Sequence, residues 1–108
     1  MANPLSLPIA HLRAAGAKVS TVIGHDPNIG DWIYSVTPPA AFSVDHLVLA
    51  LALVSPDVRV RVAPDRERII VSATSYRTNA PLPPKAERNR RRDLLAATLH
   101  VFADKIGA

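Results

Sequence analysis

A chain of 108 residues holds one domain and buries roughly two thirds of the surface its unfolded form exposes, enough to fold without covalent staples. Hydrophobic residues make up 48% and charged residues 20%, which excludes a disordered chain, and the absence of cysteine excludes disulfides and thiolate zinc sites together. The formal charge of +4 is uneven: residues 1–54 hold two basic and three acidic groups, residues 55–108 eleven and six, and residues 77–92 six basic groups against Glu87 alone.

In chain order, Ser6 reads as the N-cap of a first helix that places Leu5, Ile9 and Leu12 on one face, with Gly16 as the glycine that ends it. Residues 18–23, KVSTVI, alternate and are β-branched, as a strand requires. GHDPNIGD is turn chemistry, and WIYSV at 32–36 reads as a second strand paired to the first in a hairpin. The prolines of TPPAA end it, because proline donates no ladder hydrogen bond.

Ser43 reads as the cap of a second helix, with Phe42 and Leu47 spaced as a hydrophobic staple and Asp45 in the first turn, where it suits the dipole. Beyond that turn Leu47, Val48, Leu49, Leu51, Leu53 and Val54 leave no polar side, and a helix apolar all round is expected to be covered all round. The reading assigns Leu47, Leu49, Leu51 and Leu53 to an interface between copies of the chain. The apolar share, high for so small a body, likewise points to a homo-oligomer.

Pro56 stops that helix. DVRVRV at 57–62 follows as a strand with Val58, Val60 and Val62 to one side and Arg59 and Arg61 to the other. Pro64 suits position i+1 of a tight turn, and RIIVSATSY returns as the partner strand. RTNAPLPP reads as an extended linker, and the last helix as starting near Pro84, at its first helical position, and running through about residue 106. The expected order is therefore α-β-β-α-β-β-α over a single domain, 1–108. The fold class is α+β, a mostly antiparallel four-stranded sheet packed with a buried central helix and a long C-terminal helix. This order is similar to that of small secretion chaperones, a likeness of element order without any matching stretch of residues.

The last helix carries the functional signal. At about 100° per residue Leu95, Leu99, Phe102 and Ile106 form one apolar stripe. Lys85, Arg88, Arg91 and Arg92 fall on the same side, one or two turns nearer the N-terminus, whereas Asn89, Arg90, Asp93, His100 and Asp104 fall opposite. Basic groups at a helix N-terminus oppose the dipole at a cost of roughly a few tenths of a kcal/mol each, which an anionic partner would offset. At about 1.5 Å per residue the helix is about 34 Å long and is expected to overhang the body at its start. The competing reading is a solvated helix end, partly neutralised by Glu87 pairing with Arg90 and Arg91 at i+3 and i+4.

Arg77, Lys85, Arg88, Arg91 and Arg92 are thus the candidate polyanion-binding residues, and Arg59 and Arg61 a smaller second array. Catalytic readings fall away. Asp57 and Glu67 open two antiparallel strands and so lie at opposite ends of the hairpin, about 20 Å apart at about 3.3 Å per residue, too far for one metal. His11, His25, His46 and His100 lack ligand spacing, and Ser72, Ser75 and Tyr76 have no adjacent base, while His25-Asp26 sits in a turn and is read as turn chemistry. No cofactor or metal is expected. The longest apolar run, at 47–54, is too short to cross a bilayer, and the N-terminal residues show no signal peptide, so the reading is a soluble cytoplasmic protein without a membrane partner. The expected function is a small, non-enzymatic, oligomerising binding protein whose basic last helix engages nucleic acid. The alternative is an adaptor or assembly component (chaperone-like, or structural in a phage or mobile element) docking on an acidic protein surface.

Overall fold

A computed structural model describes residues 4–21, 33–73 and 84–107, which form three helices and four strands in the expected order. They are α1 (Ser6–Ala14), β1 (Lys18–Thr21), β2 (Ile33–Thr37), α2 (Val44–Ala52), β3 (Arg59–Val62), β4 (Ile69–Ser72) and α3 (Lys85–Gly107). The expected turn at 24–31, Trp32, Thr74 and most of the linker at 77–84 lie outside the described residues.

Helix α1 begins one residue earlier than its polar signal implies. Leu5 occupies the N-cap, with no side-chain hydrogen bond, and Ser6 is the first helical residue. Leu5 is fully buried, and burying a leucine contributes about 1.5–3 kcal/mol against about 1 kcal/mol for a serine cap, so packing decides the start. The end follows expectation. Gly16 has φ of 98°, its N–H donates to the Arg13 carbonyl at 3.1 Å, and the Ala17 N–H donates to the Leu12 carbonyl at 3.0 Å. Those two bonds make a Schellman turn, with Leu12 and Ala17 both buried beneath it.

The β3–β4 connection is built by Pro64 and Asp65. With Pro64 at i+1, the Arg66 N–H donates to the Ala63 carbonyl at 2.9 Å. The Asp65 carboxylate then accepts the N–H groups of Glu67 at 3.0 Å and Arg68 at 3.3 Å, and the Arg68 Nε at 2.7 Å. These backbone donors, with the Arg68 guanidinium, hold the Asp65 carboxyl below its ordinary range. Arg66 closes the turn at φ of 62°, a left-handed conformation costing a non-glycine residue about 1–2 kcal/mol.

The sheet order is β1-β2-β4-β3, antiparallel throughout. The two expected hairpins meet through their second strands, β2 and β4. The reason is charge and burial: β1 carries Lys18 and β3 carries Arg59 and Arg61, all exposed, whereas Tyr34, Val36, Ile69 and Val71 of the central strands are buried. Charged strands belong at the edges, where they also deter edge-to-edge pairing. Arg59 faces Ser72 and Arg61 faces Ile70 across the β3–β4 ladder, so both point away from the valine side of the strand.

The helices cover that valine side. α3 lies between α1 and α2. Leu95, Leu99, Phe102 and Ile106 join Leu5, Leu12, Leu51, Val36 and Val71 in one core. His11 lies against His100 and Ala15 against Gly107, so α1 and α3 run in the same direction. At the far side Asp45, in the first turn of α2, reaches Arg66 in the hairpin turn at 3.3 Å, and α2 runs from there toward the start of β3.

Helix α2 departs from the expectation. Ser43 caps it, its Oγ accepting the His46 N–H at 3.3 Å, and Phe42 packs half-buried against the core. The helix is not covered on every side, however. Leu47 and Leu51 are spent in the chain's own core, so they are not available to an interface, while Leu49 is 68% and Leu53 88% exposed. The central helix is therefore half-buried: it packs on the sheet and α3, and no other described helix or strand lies over its outer side. Leu51→Ala should destabilise the protein by about 2–5 kcal/mol in a urea titration, whereas Leu53→Ala in the monomer should fall within about 0.5 kcal/mol of the parent.

Candidate polyanion interface

Helix α3 is continuous from Lys85 to Gly107, so the first turns share one axis with the buried stripe. The carbonyl of Pro84 accepts the Arg88 N–H at 3.0 Å, which makes Pro84 the residue before the first helical position and not the first helical residue itself. None of residues 85–94 is fully buried; the core begins at Leu95. The nearly three turns ahead of it are mostly charged, with Leu94 alone among them packing as a partly buried apolar side chain against the core.

The wheel orders those charges as expected. Arg88, Arg91 and Arg92 are half-buried, with the Arg91 side chain only 21% exposed, while Arg90 and Asp93 face outward. The Nε atoms of Arg88 and Arg92 are buried, and that of Arg92 has no hydrogen-bond partner. Half-burial of long cationic side chains is ordinary where their methylene stems cover apolar surface. Lys85 is exposed. Arg77 lies outside the described residues.

Two carboxylates offset part of the charge. Glu87 accepts from Arg90 Nη2 at 2.7 Å and Arg90 Nε at 2.9 Å, a two-pronged contact, and from Arg91 Nε at 3.1 Å. These are the i+3 and i+4 pairs expected from the spacing. Asp57, in the turn before β3, accepts from Arg90 Nη1 at 2.9 Å. That contact joins residues 33 apart in sequence, and spacing gave no sign of it. It ties the opening turns of α3 to the body, so the start of the helix leans on the β3 corner instead of hanging free. Five basic side chains between 85 and 92 then stand against Glu87, Asp93 and Asp57, an excess of two.

The second array is also in place. Arg59 and Arg61 are exposed on β3, an edge strand, and Arg59 begins two residues after Asp57. The two arginine groups, far apart in sequence, are linked through Asp57, which pairs with Arg90 and precedes Arg59 by two residues. Asp57 and Glu67, set aside above as a metal pair, take unrelated positions, Asp57 with Arg90 and Glu67 in the hairpin turn. Among the described residues no three histidines, aspartates or glutamates gather to hold a metal ion. One feature had no sequence signal: His11 of α1 and His100 of α3 meet edge to face, ring centres 5.9 Å apart, through helix packing alone. His25, Asp26, Ser75 and Tyr76 lie outside the described residues, and no described helix is long and apolar enough to cross a membrane. Comparison with family models, with curated proteins and with solved structures finds no match for this chain.

Glu87 offers a direct check of the cluster. Hydrogen bonds first from Arg90 and then from Arg91 hold its carboxyl at about 2, against an ordinary 4.5. A carboxyl lowered in the folded state stabilises it fully above the ordinary value, and the contribution is lost as pH falls from 4.5 toward about 2. An NMR titration should place the Glu87 midpoint near the lower figure, and replacing Arg90 and Arg91 by Gln should return it toward the ordinary range.

Proposed function

We propose that this protein binds a polyanion through the opening turns of α3, and that the polyanion is nucleic acid. The observation that carries the reading is the alignment of Arg88, Arg91 and Arg92 with the buried stripe of the same unbroken helix. All three are half-buried, on one side of the helix instead of dispersed around it. Three planar forks within two turns suit the oxygens of phosphates better than a scatter of lysines would. The dipole supports the same conclusion. Cations at a helix N-terminus lower its stability, Glu87 and Asp57 offset only part of that, and a phosphate would offset the rest. The chemistry is one of binding, with no base, nucleophile or metal cluster among the described residues assigned to it.

A second reading rests on a different surface. Leu49, Leu53 and Val54 project from the open side and C-terminal end of α2, and exposed leucines grouped in this way mark protein contacts. Self-association through that side of α2 is compatible with polyanion binding at α3, since the two surfaces use different residues. An adaptor docking on an acidic protein would use the α3 surface instead.

Mobility shift with a short DNA duplex across a salt series tests the first reading. If Lys85, Arg88, Arg91 and Arg92 each meet a phosphate, affinity should fall with log salt at a slope of about −3.6, and alanine at Arg88, Arg91 and Arg92 should flatten it to about −0.9. No shift at low salt would overturn the assignment. Light scattering tests the second: the parent should exceed monomer mass at high micromolar concentration, and Leu49→Asp with Leu53→Asp should restore the monomer. A monomeric parent would refute it.

A further inference from the structure

The contact between Arg90 and Asp57 couples two basic groups that the chain itself keeps apart. Asp57 immediately precedes the residues that enter β3, and Arg90 Nη1 sits 2.9 Å from its carboxylate. The start of α3 and the start of β3 therefore form one corner. Arg59 and Arg61 continue from it along an exposed edge, about 6.6 Å apart at about 3.3 Å per residue. From Lys85 to Arg92 the helix adds about 10 Å, and from Asp57 to Arg61 the strand adds about 13 Å. The basic surface is thus at most about 24 Å long, the rise of roughly seven base pairs.

We propose that the arginines of β3 and those opening α3 act as one phosphodiester-binding surface folded round this corner, and that Asp57 and Glu87 occupy Arg90 until a phosphate displaces them. The proposal rests on the reading of α3 above and extends it to β3. Arg90 presents its full fork to carboxylates, Nε and Nη2 to Glu87 and Nη1 to Asp57. Phosphate oxygens fit the same fork, so the carboxylates hold the group in the geometry that a phosphate needs. Arg90 is 49% and Asp57 53% exposed, and ion pairs so open to water are weak enough to exchange.

The partner is the backbone of a duplex. Unstacked bases need aromatic platforms, and the described aromatics do not provide one: Tyr34 and Phe102 are buried and Phe42 packs against the core. The contacts on offer are to phosphates, which position a protein on nucleic acid without reading its sequence.

The test uses the full chain and a labelled random-sequence DNA duplex, with binding followed by fluorescence anisotropy against salt. Arg59→Ala with Arg61→Ala should reduce the slope by about 1.8. Asp57→Asn should tighten binding roughly two- to fivefold, the worth of an exposed ion pair no longer competing for Arg90. Asp93→Asn is the control for net charge, since Asp93 lies outward on α3 and holds none of these arginines in the ion pairs described. Each variant changes only exposed side chains, and an unaltered melting temperature confirms its fold. If the β3 variant keeps the parental slope, or if Asp93→Asn tightens binding as much as Asp57→Asn, the shared surface is refuted while the α3 reading stands. If a single strand binds more tightly than the duplex, the choice of partner is wrong. If the parent shows no salt-dependent binding, or binds polyglutamate as well as DNA, the α3 reading falls as well.

Discussion

The burial of one stripe of α3 governs the rest of the molecule. Leu95, Leu99 and Phe102 are fully buried and Ile106 nearly so, and together they fill the space between the sheet and the flanking helices. Because a helix without a proline or a break is stiff, the direction of that stripe sets the direction of every side chain in the turns before it. Arg88, Arg91 and Arg92 are half-buried for this reason, and not because guanidinium groups seek burial. The same element is core at one end and charged surface at the other.

That division carries an electrostatic cost which the fold offsets locally. Glu87 comes from the helix itself, through a spacing any helix would satisfy. Asp57 comes from the turn before β3, and its position depends on how α2 ends: the Asp57 N–H donates to Ser55 Oγ at 3.2 Å, which shapes the turn after the helix. The two carboxylates act on Arg90 and Arg91. Exposed pairs of this kind hold each other only weakly, so the compensation is local and exchangeable.

The sheet follows the same economy. Its central strands bury Tyr34, Val36, Ile69 and Val71 on the helix side. The other side is mixed: Ser35 and Ser72 are buried there beside half-buried Ile33 and Ile70, and Arg68 reaches back from the hairpin to donate to Ser35 Oγ at 3.2 Å. Burial of Tyr34 raises its hydroxyl pKa through desolvation.

Much of this architecture was legible in the residues. Valine-arginine alternation gave β3 its faces, Ser43 and Gly16 marked helix ends through their own local hydrogen bonds, and the 3.6-residue period of α3 oriented its arginines. Each of these depends on interactions within a few positions of the residue concerned, which is why a linear reading reached them. Other features required the assembled chain. Leu5 displaced Ser6 from the cap because a core formed around it, Leu49 and Leu53 were left open because no described element covers the outer side of α2, and Arg66 took a left-handed turn that no glycine announced. The pairing of β2 with β4, the meeting of His11 with His100 and the clamp of Asp57 on Arg90 join residues distant in sequence. Sequence alone thus determined the elements, their polar and apolar faces and the location of the charge. The tertiary structure decided which strands are neighbours and which charges meet, because those outcomes depend on packing between segments and local patterns do not encode it.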